Sequence, residues 1–400
     1  MRGRRTVVLL TVAVAMVLAC AGVALAQASN NPGRGQGPPE GVIPGQYIVV
    51  FDEGEVKDPT AVAREHAQGH GAEVLYTYQY ALEGYAARIP AQRLEEVRND
   101  PRVAYVEPDQ TAEIARRHRT RQKLPWGVDR VDADISSTRA GNGSGAVSNV
   151  NAYVIDTGID KGHLDLYVKN HVNFTGDGRN KDCNGHGTHV AGTAAALDNR
   201  RDVVGVAPGA PLTGVKVLGC DGVGANSGVI KGVDWVTANA AKPAIANMSL
   251  SGGASDALDT AVENSAASGV FYSLAAGSQG SDACTYSPAR VGAGTDNGIV
   301  TTAATTSSDA ERSSSNYGAC VDTWAPGESI LSTRMGGGTT TMSGTSMAAP
   351  HVGGGAALYL SWNTSASPSA VEAALTSWAW APSYLSKDGR SILLEYVGGF

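Results

Sequence analysis

From Trp126 onward, short apolar runs alternate with longer stretches in which apolar and polar residues recur at helical spacing. The apolar runs predict strands at 152–155, 204–206, 212–217, 244–250, 270–276 and 300–304. Helical patterns lie at 189–197, 227–240, 257–268 and 346–360. Strands that alternate with helices predict an α/β domain with a doubly wound, mainly parallel sheet. Ligands of such sheets bind at the carboxyl ends of the strands, so candidate chemistry is expected there.

A smaller domain is predicted before it, over residues 44–115. The pattern gives, in order, a strand at 46–51, a helix at 60–70, a strand pair within 78–89, a helix at 91–99 and a strand at 103–106. This β-α-β-β-α-β order predicts a ferredoxin-like α+β fold. A linker rich in Gly, Pro, Asn and Gln is predicted at 27–43, and the basic, polar stretch at 116–123 indicates a protease-accessible boundary before the main domain at 120–400.

The first 26 residues have the features of a secretory signal peptide. Residues 1–5 are basic, residues 6–26 are uncharged, and the run ends in Ala24-Leu25-Ala26, a small-x-small cleavage pattern. The alternatives are an uncleaved membrane anchor and, from residues 17–20, a lipoprotein cleavage site. No later segment is long and apolar enough to span a bilayer, so the expected product is secreted, extracellular and without stable membrane association.

Composition narrows the class of partner. The chain has 400 residues, 42% hydrophobic and 17% charged, a balance that excludes a wholly disordered protein. The net charge is −7, and the acidic excess lies almost entirely after residue 119. Nucleic acid is therefore not an expected partner, whereas cations are. We expect a monomer without an organic cofactor.

Removal of the signal peptide would leave four of the five cysteines. These are Cys183, Cys220, Cys284 and Cys320. An even number in a secreted chain predicts two disulfides, with buried free thiols as the alternative. Four cysteines allow three pairings, and their spacing does not choose between them.

Three segments of the main domain carry candidate chemistry. Asp156 follows a buried strand, His186 opens a Gly-flanked helix, and Ser346 opens another helix. Singly, the acid and the serine are ordinary turn or cap residues, and His186 with His189 could bind a metal. Together they are the residue types of nucleophilic acyl transfer, because serine needs an imidazole to accept its proton and a carboxylate to orient that imidazole.

The order Asp, His, Ser, with these flanking residues, resembles the subtilisin-like serine proteases. The resemblance extends from residue 124 to the end of the chain and is strongest to the proteinase K and aqualysin branch. It implies that Ser346 is the nucleophile, His186 the general base and Asp156 its orienting acid. The implied activity is endopeptidase cleavage of protein and peptide substrates through an acyl-enzyme.

The same resemblance assigns the cysteines and the first domain. It implies disulfides Cys183–Cys220 and Cys284–Cys320. The first domain resembles the inhibitory propeptide of the family, an intramolecular inhibitor that occupies the cleft until cleavage, expected between residues 109 and 123. The alternative is an additional domain that only stabilises the protein.

Matching segments also imply the substrate contacts. The walls of the pocket for the residue before the scissile bond would be Ser249, Leu250, Ser251, Gly252, Ala275, Ala276 and Gly277. An extended peptide would pair with a strand edge at 222–226, through Gly222, Val223 and Gly224. Recognition through the peptide backbone predicts broad specificity with an apolar or aromatic preference.

One residue departs from the family pattern at the oxyanion hole. Ser278 stands where the family has an Asn whose amide donates to the oxyanion, while the N–H of Ser346 remains available. We expect reduced activity. The alternative is a catalytically silent, peptide-binding homologue.

Calcium is the expected ion. Asp322 matches a calcium-binding acid of the branch, with backbone carbonyls near Gly292 and Gly294 completing the site. Asp129 and Asp132 match the acids of a second site. All three acids could instead be ordinary surface residues.

Overall fold

The computed structural model describes residues 42–52, 54–79, 82–110, 122–292, 294 and 296–400. The chain divides into two compact units, one within residues 1–116 and one within 117–400. The predicted signal peptide, nearly all of the predicted linker and most of the predicted cleavage region lie outside the described residues. The domain boundaries at 44–115 and 120–400 stay predictions. Within the described part of the chain, no helix has the length and apolar character needed to cross a membrane.

The first unit is an antiparallel sheet with two helices. Its elements are β1 (Val42–Phe51), α1 (Pro59–His70), β2 (Glu73–Tyr78), β3 (Gly84–Arg88), a 3₁₀ turn (Ala91–Arg93), α2 (Leu94–Arg98) and β4 (Val103–Gln110). The strand order is β2-β3-β1-β4, with every neighbouring pair antiparallel. Both helices contribute to a core with alternate residues of β1 and β3, such as Val49, Phe51 and Tyr85. The predicted β-α-β-β-α-β order is confirmed.

Local signals explain the bounds of α1, whereas one predicted pair of strands is displaced. Asp58 caps the N-terminus of α1 by accepting from the Ala61 N–H, Pro59 is its first residue, and Gly71 ends it with a φ of 65°. The strand pair predicted within 78–89 begins earlier, because β2 ends at Tyr78. β2 is an edge strand with partly or fully exposed side chains, and its apolar run, from Val74 to Tyr76, is only three residues long.

The second unit contains a seven-stranded parallel sheet and two small antiparallel pairs. Its helices are α3 (Trp126–Arg130), α4 (His186–Ala195), α5 (Asn226–Asn239), α6 (Asp256–Ala267), α7 (Thr345–Trp362) and α8 (Pro368–Trp378), with 3₁₀ turns at Ala283–Thr285 and Ala289–Gly292. Its strands are β5 (Asn151–Asp156), β6 (Val168–Asn173), β7 (Leu212–Lys216), β8 (Ala244–Met248), β9 (Gly252–Gly253), β10 (Phe271–Ala275), β11 (Tyr286–Ser287), β12 (Ile299–Thr305), β13 (Thr323–Pro326), β14 (Ile330–Thr333) and β15 (Thr339–Met342). The large sheet has the order β13-β12-β10-β8-β5-β7-β6, and β9 pairs with β11 and β14 with β15. The predicted doubly wound fold is confirmed.

Helices cover both faces of the large sheet, which explains the continuous apolar runs. On β5, Val154 packs in the cluster of α4, α7 and α8, whereas Tyr153 and Ile155 pack in the cluster of α5 and α6. A strand buried on both faces needs apolar residues at every position. The carboxyl end of the sheet, where the candidate residues are expected, is therefore supported by buried side chains on both faces.

The strand predicted at 204–206 is wrong. This segment lies against the end of α4, where Gly205 N–H donates to Ala196 and Val206 N–H to Thr193. A Cβ on Gly205 would lie 2.5 Å from the Ala195 nitrogen, so only glycine permits this approach. The helix end takes the hydrogen bonds that a sheet neighbour would have taken. The edge strand β6 was not predicted either, because its exposed Lys169 and Asn170 interrupt the apolar pattern.

Candidate active site

Three elements bring the predicted catalytic residues to the carboxyl edge of the sheet. Asp156 is the last residue of β5, His186 the first of α4, and Ser346 the second of α7. Gly344 precedes α7 with a φ of 151°, a conformation that favours glycine. The motifs therefore lie at element ends, as their Gly-rich flanks predict.

Asp156 and His186 form a direct pair. Asp156 Oδ1 lies 2.8 Å from His186 Nδ1, and the aspartate side chain is fully buried while a quarter of the imidazole is exposed. The Thr157 N–H also donates to Asp156 Oδ1, at 2.7 Å. Burial lowers the pKa of His186, but the charge and hydrogen bond of Asp156, with the charge of Asp182, outweigh it and raise the pKa above its ordinary value.

Ser346 is held by Ser249, the residue that follows β8. Its hydroxyl donates to the Ser249 carbonyl at 3.2 Å, and among the described residues no hydrogen bond joins it to His186. Pro350, four residues later, has no N–H to donate to the Ser346 carbonyl, and the Ser249 hydroxyl donates to that carbonyl at 2.8 Å instead. Catalytic hydrogen bonds often tighten only when substrate binds, so this arrangement is compatible with the predicted pairing of Ser346 and His186.

Ser278 lies against the start of α7. Its hydroxyl oxygen accepts from the Thr345 N–H at 3.3 Å and lies 3.3 Å from Thr345 Oγ1. The N–H of Ser346 has no acceptor within its helix, because it belongs to the first turn. A backbone donor and a hydroxyl therefore flank the same point at the helix N-terminus.

A cleft of about 340 Å³ adjoins His186. It is lined by seven of the ten predicted substrate-binding residues, namely Gly222, Val223, Gly224, Ser249, Leu250, Ser251 and Gly252. Leu218 and Val229 add apolar surface. The predicted strand edge at 222–226 carries no strand assignment in the structure, and Asn226 begins α5.

The other three predicted residues are buried at the end of β10, which Ala275 completes, and in the connection that follows it. Ala275 and Ala276 have 1% and 0% exposure, and Gly277 donates its N–H to Thr345 Oγ1 at 3.1 Å. A Cβ on Gly277 would lie 2.4 Å from Asn316 Nδ2. This segment supports the loop that carries Ser278, and it does not line the described cleft.

The structure contains the disulfides Cys183–Cys220 and Cys284–Cys320. The first joins the loop before His186 to the loop that begins the cleft rim. Its two sulfurs lie near Asp177, but sulfurs bonded to each other are not available as metal ligands.

Of the predicted calcium ligands, Asp322 and Gly292 lie together. A Cβ on Gly292 would lie 2.7 Å from both Asp322 Oδ2 and the Cys320 carbonyl oxygen, so the backbone closely approaches the carboxylate. Burial raises the pKa of Asp322 to about 8, although the Thr301 N–H donates to it. Buried oxygen ligands of this kind fit calcium. Among the described residues outside its chain neighbours, only Asn297 would lie within 4 Å of a Cβ on Gly294, so that Cβ would not approach Asp322 as one on Gly292 does.

The second predicted pair is also adjacent. Asp132 donates its N–H to the Asp129 carbonyl at 2.9 Å and has a φ of 61°. Burial, then the charge of Asp134, raises the pKa of Asp132, with a smaller contribution from Asp129. Carboxylates that repel one another in this way fit a cation.

Two buried charged residues beside the site were not predicted from the sequence as functional residues. Asp182 has 4% exposure and bonds to the loop around His186, and Lys216 is fully buried and donates to the Thr157 and Leu218 carbonyls. The sequence could have indicated them, because an ionisable residue within a buried strand or a Gly-rich loop is rarely buried without a partner.

Comparisons with known proteins agree with this geometry. Residues 148–398 match the subtilase family and residues 46–115 the peptidase inhibitor I9 family. The chain is 44% identical to the extracellular serine proteinase of Thermus sp. (strain Rt41A), over 91% of this chain and 92% of that protein. It is 43% identical to alkaline serine exoprotease A of Vibrio alginolyticus, over 86% of this chain and 65% of that protein. The crystal structure of a cold adapted subtilisin-like serine proteinase is 45% identical, with a TM-score of 0.61 over 68% of this chain and 97% of that one. The chain therefore belongs to the subtilase family and is a subtilisin-like serine endopeptidase with an N-terminal I9 inhibitor domain.

Proposed function

We propose that the protein is a secreted endopeptidase in which Ser346, His186 and Asp156 act as nucleophile, general base and orienting acid. The observation that carries this proposal is the 2.8 Å contact between Asp156 Oδ1 and His186 Nδ1. It fixes the Nδ1–H tautomer and leaves Nε2 unprotonated, so that Nε2 accepts a proton.

The reaction proceeds by two acyl transfers. Ser346 Oγ attacks the scissile carbonyl carbon while its proton passes to His186 Nε2, and the carbonyl oxygen becomes an oxyanion. The imidazolium then gives that proton to the leaving amine, the C–N bond breaks, and an acyl-enzyme remains. Water then attacks the acyl carbon while its proton passes to His186 Nε2. The ester C–O bond breaks, the imidazolium returns the proton to Ser346 Oγ, and the acid is released. The Ser346 N–H and the Ser278 hydroxyl would donate to the oxyanion.

Substrate selection follows from the cleft. Gly222, Val223 and Gly224 would pair with an extended peptide backbone, which gives broad specificity. Leu218, Val229 and Leu250 supply apolar contacts to substrate side chains. We expect a preference for apolar or aromatic residues.

The I9 domain supports synthesis as an inactive precursor. A domain of this family before a subtilase domain fits an intramolecular inhibitor that is removed by self-cleavage between residues 109 and 123. Secretion agrees with the two disulfides and with the extracellular relative from Thermus.

The test is expression of the full chain beside its Ser346→Ala variant. We expect the parent to shorten by about the mass of the first domain and the variant to remain at precursor size. A serine-directed phosphonate should label mature parent at Ser346. The matched control is Ser343→Ala, three residues before the nucleophile, which should process and be labelled as the parent is. Processing of Ser346→Ala by itself, in purified form, would contradict the assignment.

Calcium would be held by Asp322 and the backbone at Gly292, with a second ion at Asp129 and Asp132, and it would stabilise the fold. We expect added calcium to raise the melting temperature of the mature enzyme, because a ligand at a hundred times its Kd adds about 2.7 kcal/mol. Asp322→Asn should reduce that increase, whereas Asp234→Asn, an exposed acid on α5, should leave it intact. Equal calcium responses of parent and Asp322→Asn, measured by calorimetry, would remove Asp322 from the ligand set.

A further inference from the structure

Asp182 is a buried acid four residues before His186, in the loop between β6 and α4. Its Oδ1 accepts from Thr157 Oγ1 at 3.0 Å and from the N–H groups of Asn184 and Gly185, both at 2.9 Å. Its Oδ2 accepts from the N–H of Thr188 at 3.1 Å and from the Thr188 hydroxyl at 2.5 Å. Five donors thus converge on one carboxylate, which accounts for its burial without a cation in direct contact.

These donors surround His186 on both sides. Gly185 directly precedes the imidazole-bearing residue and Thr188 lies two residues after it. The other side-chain donor, Thr157, directly follows Asp156, and its hydroxyl accepts from the Gly187 N–H at 2.9 Å. Asp182 therefore links the strand end that carries the orienting acid to the first turn of the helix that carries the base.

We propose that Asp182 is a positioning residue for His186: it holds the first turn of α4 in register with Asp156 and contributes a second negative charge beside the imidazole. This role rests on the proposed function of His186 as the general base. Asp182 does not touch the reacting atoms, and it acts through the hydrogen bonds that place His186 Nδ1 on Asp156 Oδ1.

The charges around the two groups give the sign of the expected pH effect. His186 faces Asp156, Asp182 and His189, and Asp182 in turn faces His171, on which the charges of Lys161 and Lys216 also act. The charge of Asp182 is among the causes that raise the pKa of His186. Removing that charge lowers this pKa, so the imidazole loses its proton at lower pH. The acid limb of the kcat/KM profile should then move to lower pH.

The experiment compares Asp182→Asn with Asp198→Asn in the mature enzyme. Asp198 accepts from three backbone N–H groups, those of Gly141, Gly143 and Gly145, in a loop outside the described cleft. In Asp182→Asn the new NH₂ group faces the Thr188 donors, so the turn must shift. We expect kcat per phosphonate-labelled site to fall on the order of 10²-fold, with KM changed far less, and the acid limb to shift to lower pH. Asp198→Asn should keep the kcat and pH profile of the parent.

Thr188→Val supplies a second test. It tests the positioning role even when Asp182→Asn does not fold. It removes one donor and keeps the Asp182 charge, so we expect kcat to fall about tenfold with the acid limb unmoved. Parental kcat in Thr188→Val, or an unshifted acid limb in folded Asp182→Asn, would overturn the positioning role. Failure of the parent to be labelled at Ser346 would overturn the proposed function itself, which keeps the two failures distinct.

Discussion

Replacement of Asp156 by Asn is expected to lower kcat by about 10⁴-fold while the protein remains folded. The Asn amide can donate to His186 Nδ1, which stabilises the tautomer with its proton on Nε2. In that tautomer the imidazole cannot accept the Ser346 proton. Asp156 is fully buried and lies 2.8 Å from His186 Nδ1. Water therefore has little access to Nδ1 and cannot readily replace the Asn amide there to restore the other tautomer.

The measurement is the steady-state hydrolysis of a peptide substrate by mature enzyme. Precursor of the variant should be processed by added parent enzyme, because self-cleavage would be lost with kcat. Asp256→Asn, at a carboxylate that is 97% exposed at the start of α6, serves as the control and should retain parental kcat. A loss of less than tenfold in Asp156→Asn would mean that His186 is not oriented by Asp156.

Replacement of Ser278 by Asn is expected to raise kcat, by as much as 10²–10³-fold. The Ser278 hydroxyl oxygen accepts from the Thr345 N–H and lies beside Thr345 Oγ1, so it is drawn toward the helix N-terminus. An Asn side chain is longer and presents two N–H donors. Ser278 is exposed, which leaves room for the larger side chain.

The gain should appear in kcat with little change in KM, because the oxyanion exists only near the transition state. Ser278→Ala provides the matched comparison. Its kcat should be lower than that of the parent if the Ser278 hydroxyl donates to the oxyanion. Its kcat should equal that of the parent if the hydroxyl does not donate. No gain in Ser278→Asn would show that the oxyanion hole is built from other groups.

Sequence reasoning located the fold and the three motifs because their signals are local. Apolar runs buried on both faces of the sheet predict β5, β8 and β10, and the Gly residues beside His186 and Ser346 predict helix starts. The edge strand β6 was not predicted because exposed polar residues interrupt its apolar run, and β2 was placed too late in the sequence because its apolar run is only three residues long. The segment at 204–206 has the composition of a strand, but its partner is the end of α4.

The supporting contacts of the site could not be predicted in the same way. Ser249 lies 97 residues before Ser346 and Thr157 lies 25 residues before Asp182, and no local pattern pairs them. Whether Ala275–Gly277 lines the cleft or lies beneath its loops also depends on packing against Asn316. Residue types indicate which chemistry is present, whereas long-range packing decides which atoms meet.

The proline in α7 has a consequence for the order of events in folding. Because Pro350 cannot donate to the Ser346 carbonyl, the turn that carries the proposed nucleophile is completed by the hydroxyl of Ser249, the residue after β8 and 97 residues earlier in the chain. Contacts between distant segments require closure of a long loop and therefore form late. The turn at Ser346 is thus expected to reach its final geometry only after the sheet has formed, so peptidase activity should appear late in folding.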